Sequence, residues 1–120
     1  MGFYPKVETL GRWLERDTSG ILDWTCPEGM AYRNPVFFVH FLHGPNASRI
    51  FFYLMPPGTS WWREVIADRT PITSGDTYKL AGNADLLLTS GYRIGSEVRP
   101  ASLPVQPYLF NLYIQAIRVQ

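Results

Sequence analysis

Phe37-Phe38-Val39-His40-Phe41-Leu42 and Ile50-Phe51-Phe52-Tyr53-Leu54-Met55 are the stretches that decide the fold. Both are short aromatic and aliphatic runs. Gly44-Pro45-Asn46 lies between them, and Pro56-Pro57-Gly58 closes the second. Runs of this kind, bounded by turn residues, read as strands, and the spacing reads as a hairpin. Further along, Thr73-Ser74-Gly75-Asp76-Thr77-Tyr78-Lys79-Leu80 leads into Asp85-Leu86-Leu87-Leu88-Thr89-Ser90-Gly91-Tyr92-Arg93-Ile94. A turn with glycine and a polar residue opens each of two short strands there.

Strands are predicted over 35–43, 48–55, 61–67, 77–80, 85–88, 92–99 and 108–119. A turn every ~10 residues points to an all-β, antiparallel β-sandwich of jelly-roll or immunoglobulin-like type. In the last strand Tyr108, Phe110, Leu112, Ile114 and Ala116 share one face, and Asn111, Tyr113 and Gln115 the other. That alternation marks a half-buried strand. The first two strands are apolar on both faces, so each is central in the packing or covered by a partner. Pro100 to Pro107 reads as a loop, because proline cannot donate to a central ladder.

Residues 1–34 read as an N-terminal arm and 35–120 as the sandwich domain. In the arm Val7, Leu10 and Leu14 fall at helical spacing, which predicts a short helix over about residues 7–16. Gly11 weakens that helix by roughly 1 kcal/mol relative to alanine. The arm carries Phe3, Tyr4, Trp13, Leu14, Ile21, Leu22 and Trp24, too many apolar residues for a free tail. They must cover an open end of the domain or reach a neighbouring subunit.

With 120 residues the chain reads as one domain. A formal charge of +1 gives no drive toward nucleic acid or an anionic membrane, so neither is expected as a partner. The cations are nine Arg against two Lys, Lys6 and Lys79, and aromatics make up 15% of residues. Arg, Trp and Tyr are enriched at protein interfaces and Lys is depleted, which favours protein partners. No basic-then-apolar leader opens the sequence and no run reaches the ~20 apolar residues of a spanning helix, so synthesis in the cytosol is expected. Asn46-Ala47-Ser48 matches a glycosylation sequon and marks a surface turn.

Catalytic and metal signals are weak. Cys26 is the single cysteine, so no intrachain disulfide forms and a buried inert thiol is expected. His40 and His43 are the only histidines. On one continuous strand their spacing puts them on opposite faces, a poor pair of metal ligands. No Gly-x-Ser-x-Gly elbow or phosphate loop occurs, and no pair of carboxylates stands out. An enzyme is not expected, and no cofactor or metal is implied. Trp61-Trp62 is the sharpest local feature. Adjacent strand residues face opposite ways. One ring can enter the core while the other, beside Arg63, meets a partner or a sugar. Trp13, Trp24, Trp61, Trp62 and Arg63 are the expected interface residues.

Residues 35–119 resemble the small β-sandwich structural proteins of tailed-bacteriophage particles. The likeness rests on Arg49–Met55 and on the glycine turns within Ile72–Leu80 and Leu86–Ile94. Tyr92 departs from that pattern, which has an acidic residue there. The resemblance implies a non-enzymatic virion protein, of the capsid cement or decoration type or a tail or neck accessory. It implies a location in the virion. Its partners would be copies of itself and other virion proteins such as the major capsid protein. A carbohydrate- or ligand-binding module that uses exposed tryptophans, with a surface glycan as partner, is the alternative, and a small hydrolase comes last.

Overall fold

The computed structural model describes residues 6–16, 20–43, 48–59, 64–73, 75–82, 86–99 and 108–120. They contain nine strands and no helix: β1 (Lys6–Arg16), β2 (Gly20–Thr25), β3 (Tyr32–His43), β4 (Ser48–Met55), β5 (Glu64–Ile72), β6 (Thr77–Ala81), β7 (Leu87–Leu88), β8 (Arg93–Arg99) and β9 (Leu109–Arg118). One sheet has the order β1-β9-β3-β6, with β7 also on β3; the other has the order β2-β8-β4-β5. All pairings are antiparallel. The pairs are nested: β4 with β5, β3 with β6, β2 with β8, β1 with β9. This is a long antiparallel ribbon rolled over on itself, the strand order of a jelly roll.

The expected hairpin between the two apolar runs does not form. β3 and β4 lie in different sheets, facing each other across the core, where Phe37 stacks on Phe52 at 4.3 Å and 13°. The reason lies in their composition. A strand apolar on both faces is best placed in the middle of a sheet, and each sheet takes one. β3 sits between β9 and β6, and β4 between β8 and β5. Gly44-Pro45-Asn46, which suggests the hairpin, lies outside the described residues.

The helix expected over residues 7–16 is also absent; those residues form β1, paired with β9 from Lys6↔Arg118 to Arg16↔Leu109. A register shift between Thr9 and Gly11 adds one residue to β1. It shifts the alternation by one position, so apolar residues at 7, 10 and 14 imitate a helical spacing. Leu10 and Trp13 pack against the core, while Val7 and Leu14 are 65% and 59% exposed. Trp13 folds back over Gly11, where a Cβ would lie 2.6 Å from its ring. The N-terminal segment thus supplies an edge strand to each sheet, β1 and β2.

The core is the inner rows of both sheets. Tyr108, Phe110, Leu112, Ile114 and Ala116 are all buried, as their alternation predicts. They meet Ile50, Phe52 and Leu54 of β4 and Ile94 and Val98 of β8. Gly75 and Gly91 hold φ of 85° and 88° at the two glycine turns. Asp76 N–H donates to the Thr73 carbonyl at 3.2 Å and Tyr92 N–H to that of Thr89 at 3.1 Å. Each glycine occupies the third turn position, which needs the left-handed region. β5 runs to Ile72, beyond the expected end at residue 67; as an edge strand it tolerates Pro71.

Candidate functional site: the outer face of the β1-β9-β3-β6 sheet

The two sheets treat their outer faces differently. On the second sheet Phe51, Tyr53 and Met55 of β4 form a small cluster that is buried within the chain. Arg49 and Arg99 lie on the Phe51 ring, 5.3 and 4.7 Å from its centroid. Arg49 pairs with Asp68 at 2.6 Å and Arg99 with Glu97 at 3.2 Å. On this face the β4 side chains are covered, and Arg49 and Arg99 each have a carboxylate partner, while Val65 of β5, beside Tyr53, is exposed.

The outer face of the first sheet is open. Register places Arg12 beside Tyr113, Tyr113 beside Phe38, and Phe38 beside Lys79, one residue from each of β1, β9, β3 and β6. Tyr113 and Phe38 stack at 4.4 Å and 5°. The Arg12 guanidinium lies over the tyrosine ring at 5.2 Å, and the Lys79 ammonium over the phenylalanine ring at 5.9 Å. The separation of the two rings is close to the strand spacing of about 4.8 Å, so they stand upright on the sheet. Their faces are turned to each other and to the two cations. Flat stacking of a sugar or a base needs an open ring face, and in this row each ring face has a neighbour. The ring edges and the tyrosine hydroxyl are what the row presents outward.

An open hollow of about 470 Å³ lies on one side of this row, bordered by Leu14, Asn111 and Tyr113. A groove of about 220 Å³ lies on the other, bordered by Val7, Val36, Phe38 and Ile117. Beyond them His40 Nδ1 is 2.7 Å from Thr77 Oγ1. A register shift between Phe41 and His43 interrupts the alternation of β3. His43 is therefore paired with Leu109, on the outer side with His40, and the expectation of opposite faces does not hold. Among the described residues no group of three His, Cys, Asp or Glu side chains could hold a metal ion.

The acidic residues of β1 turn away from this face. Glu15 pairs with the inward Phe110, and burial pushes its carboxyl above the usual range. Glu8 pairs with the inward Ala116 and accepts a hydrogen bond from the Tyr32 hydroxyl at 3.3 Å. Burial alone would raise its carboxyl. The hydrogen bond from Lys6 and the charges of Arg118 and Lys6 outweigh that, and it lies below the ordinary value. Tyr32 is raised, first by burial and then by the Glu8 charge.

Compared with known proteins, the chain matches no family model, no curated protein and no solved structure. Of the expected interface residues, Trp13 and Trp24 are half-buried against the core, Trp24 with its ring edge-on to Tyr32 at 6.2 Å. Trp61, Trp62 and Arg63 lie outside the described residues. Nothing local in the sequence marks the row Arg12–Tyr113–Phe38–Lys79. Alternation puts Tyr113 on the outer face of β9, but the ladder exists only through cross-strand register. Cys26 is buried, with its thiol 3.5 to 3.8 Å from the carbonyls of Met30, Leu88 and Pro27, and burial raises it.

Proposed function

We propose that this chain is a non-catalytic structural protein of a tailed-bacteriophage particle, a capsid cement protein or a tail or neck accessory component, assembling through protein–protein contacts. The observation that carries the reading is the open outer face of the β1-β9-β3-β6 sheet. It combines a rigid aromatic row, two flanking hollows and exposed Val7 and Leu14. Three strands of ten to twelve residues beside the five-residue β6 give a surface of about 34 by 14 Å plus a strip of about 17 by 5 Å. That is on the order of 600 Å² per partner, near the lower bound for a specific interface. Upright rings whose edges and hydroxyl point outward suit a packed protein surface. The jelly-roll order supports the setting, since viral capsid domains use it. Fold alone leaves function open, so the weight rests on the face and on the glycine-turn resemblance. Neighbours in the particle would be virion proteins such as the major capsid protein.

Lectin domains use the same strand order, which makes a carbohydrate-binding module the second reading. It requires Trp fluorescence to change on a glycan screen. The deciding experiment for the first reading is mass spectrometry of gradient-purified particles of a phage carrying this gene. The chain is expected in them at many copies. Its absence from particles, with soluble protein present in the lysate, overturns the reading.

A further inference from the structure

We infer that the outer face of the β1-β9-β3-β6 sheet receives an acidic protein segment, with carboxylates flanking an apolar centre. This deepens the proposed function and rests on it. The row runs cation, ring, ring, cation: Arg12, Tyr113, Phe38, Lys79. Three strand spacings separate its ends, about 14 Å. Both cations are exposed. Among the described residues neither has a carboxylate partner, in contrast to Arg49 and Arg99 on the other sheet. The acids that could have neutralised the face, Glu8 and Glu15, are directed to the inner side of β1. The face is therefore apolar in its middle and positive at its ends.

A partner that buried the rings without carboxylates would desolvate two cations for no return. A second copy of this chain, face to face, is such a partner: it brings Arg12 and Lys79 against their own kind. An extended segment repeats its side-chain direction every second residue. Acid at i, an apolar residue at i+2 and acid at i+4 span about 14 Å, the length of the row.

The test uses the full chain with three probes: a random copolymer of glutamate and tyrosine, polyglutamate, and heparin. Binding is followed through NMR shifts of the Phe38 and Tyr113 rings. The copolymer is expected to bind, to weaken at least about ten-fold between about 50 and 500 mM salt, and to shift both rings. Arg12→Glu with Lys79→Glu is expected to abolish it, while Arg99→Glu on the other sheet leaves it intact. Urea melts verify that each variant is folded. Equal binding of polyglutamate or heparin would reduce the face to a general anion site and overturn the inference. So would unchanged binding by the double variant, absence of copolymer binding, or self-association through these rings. Particle incorporation separates the two readings. Loss on Phe38→Glu but not on the double charge variant keeps the surface and removes the acidic partner.

Discussion

Phe37 and Phe38 are adjacent in β3, and truncating each to alanine in turn tests the layer assignment. Phe37 is fully buried between the sheets, stacked on Phe52 at 4.3 Å. Removing its ring loses the transfer energy of a full side chain, the stack, and leaves a cavity in a layer pinned on both sides. Phe→Ala at such sites costs about 3–5 kcal/mol, and the upper half of that range is expected here. Phe38 is half-buried on the open face, stacked on Tyr113 with Lys79 over its other side. Its loss removes an aromatic pair worth about 0.5–1.5 kcal/mol and part of one ring's burial, so about 1–2 kcal/mol in all. A domain of this size is stable by about 5–15 kcal/mol. Phe37→Ala should therefore remove a large part of that margin, while Phe38→Ala should remove little of it. Urea denaturation followed by far-UV circular dichroism measures both, with the slope m held constant. Equal losses at the two positions, or a greater loss at Phe38, would refute the face assignment of β3.

Gly95→Ala should destabilise by about 2–3 kcal/mol in the same assay, because a Cβ there would run into the buried Tyr53 ring. Glu8→Gln should cost up to about 1 kcal/mol at neutral pH. Its folded carboxyl lies below the ordinary 4.5, so the wild-type advantage is complete above that value. It disappears as pH falls through the lower folded value, which urea melts across acidic pH would follow. Cys26 should resist a thiol reagent such as dithiobisnitrobenzoate in the folded chain and react on addition of urea. Rapid stoichiometric labelling of the folded chain would contradict its burial.

Strand content was legible because period-two alternation and glycine turns are local. The inward row of β9, from Tyr108 to Ala116, follows directly from the sequence. β1 was read as a helix because one bulge at Thr9–Gly11 shifts the alternation and imitates a helical spacing. The nested order could not be read, since β1 pairs with β9 across almost the whole chain. Phe37-Phe38 and Phe51-Phe52 looked like the arms of a hairpin, and composition does not distinguish two neighbours in one sheet from two centres of facing sheets. The ladder on the open face depends on that long-range register. Tyr113, Phe38, Arg12 and Lys79 are distant in sequence, and nothing local links them. The tryptophans are conspicuous in the sequence because they are large and few, and Trp13 and Trp24 both pack against the core.

The most direct measurement of the assembly surface is hydroxyl-radical footprinting of the chain, free in solution and within purified particles. Phe38, Tyr113 and Leu14 should become protected on assembly, while exposed Val65 of β5, on the other sheet, should react equally in both states. Protection of Val65 with Phe38 and Tyr113 unchanged would contradict the account and move the binding surface to the opposite side of the sandwich.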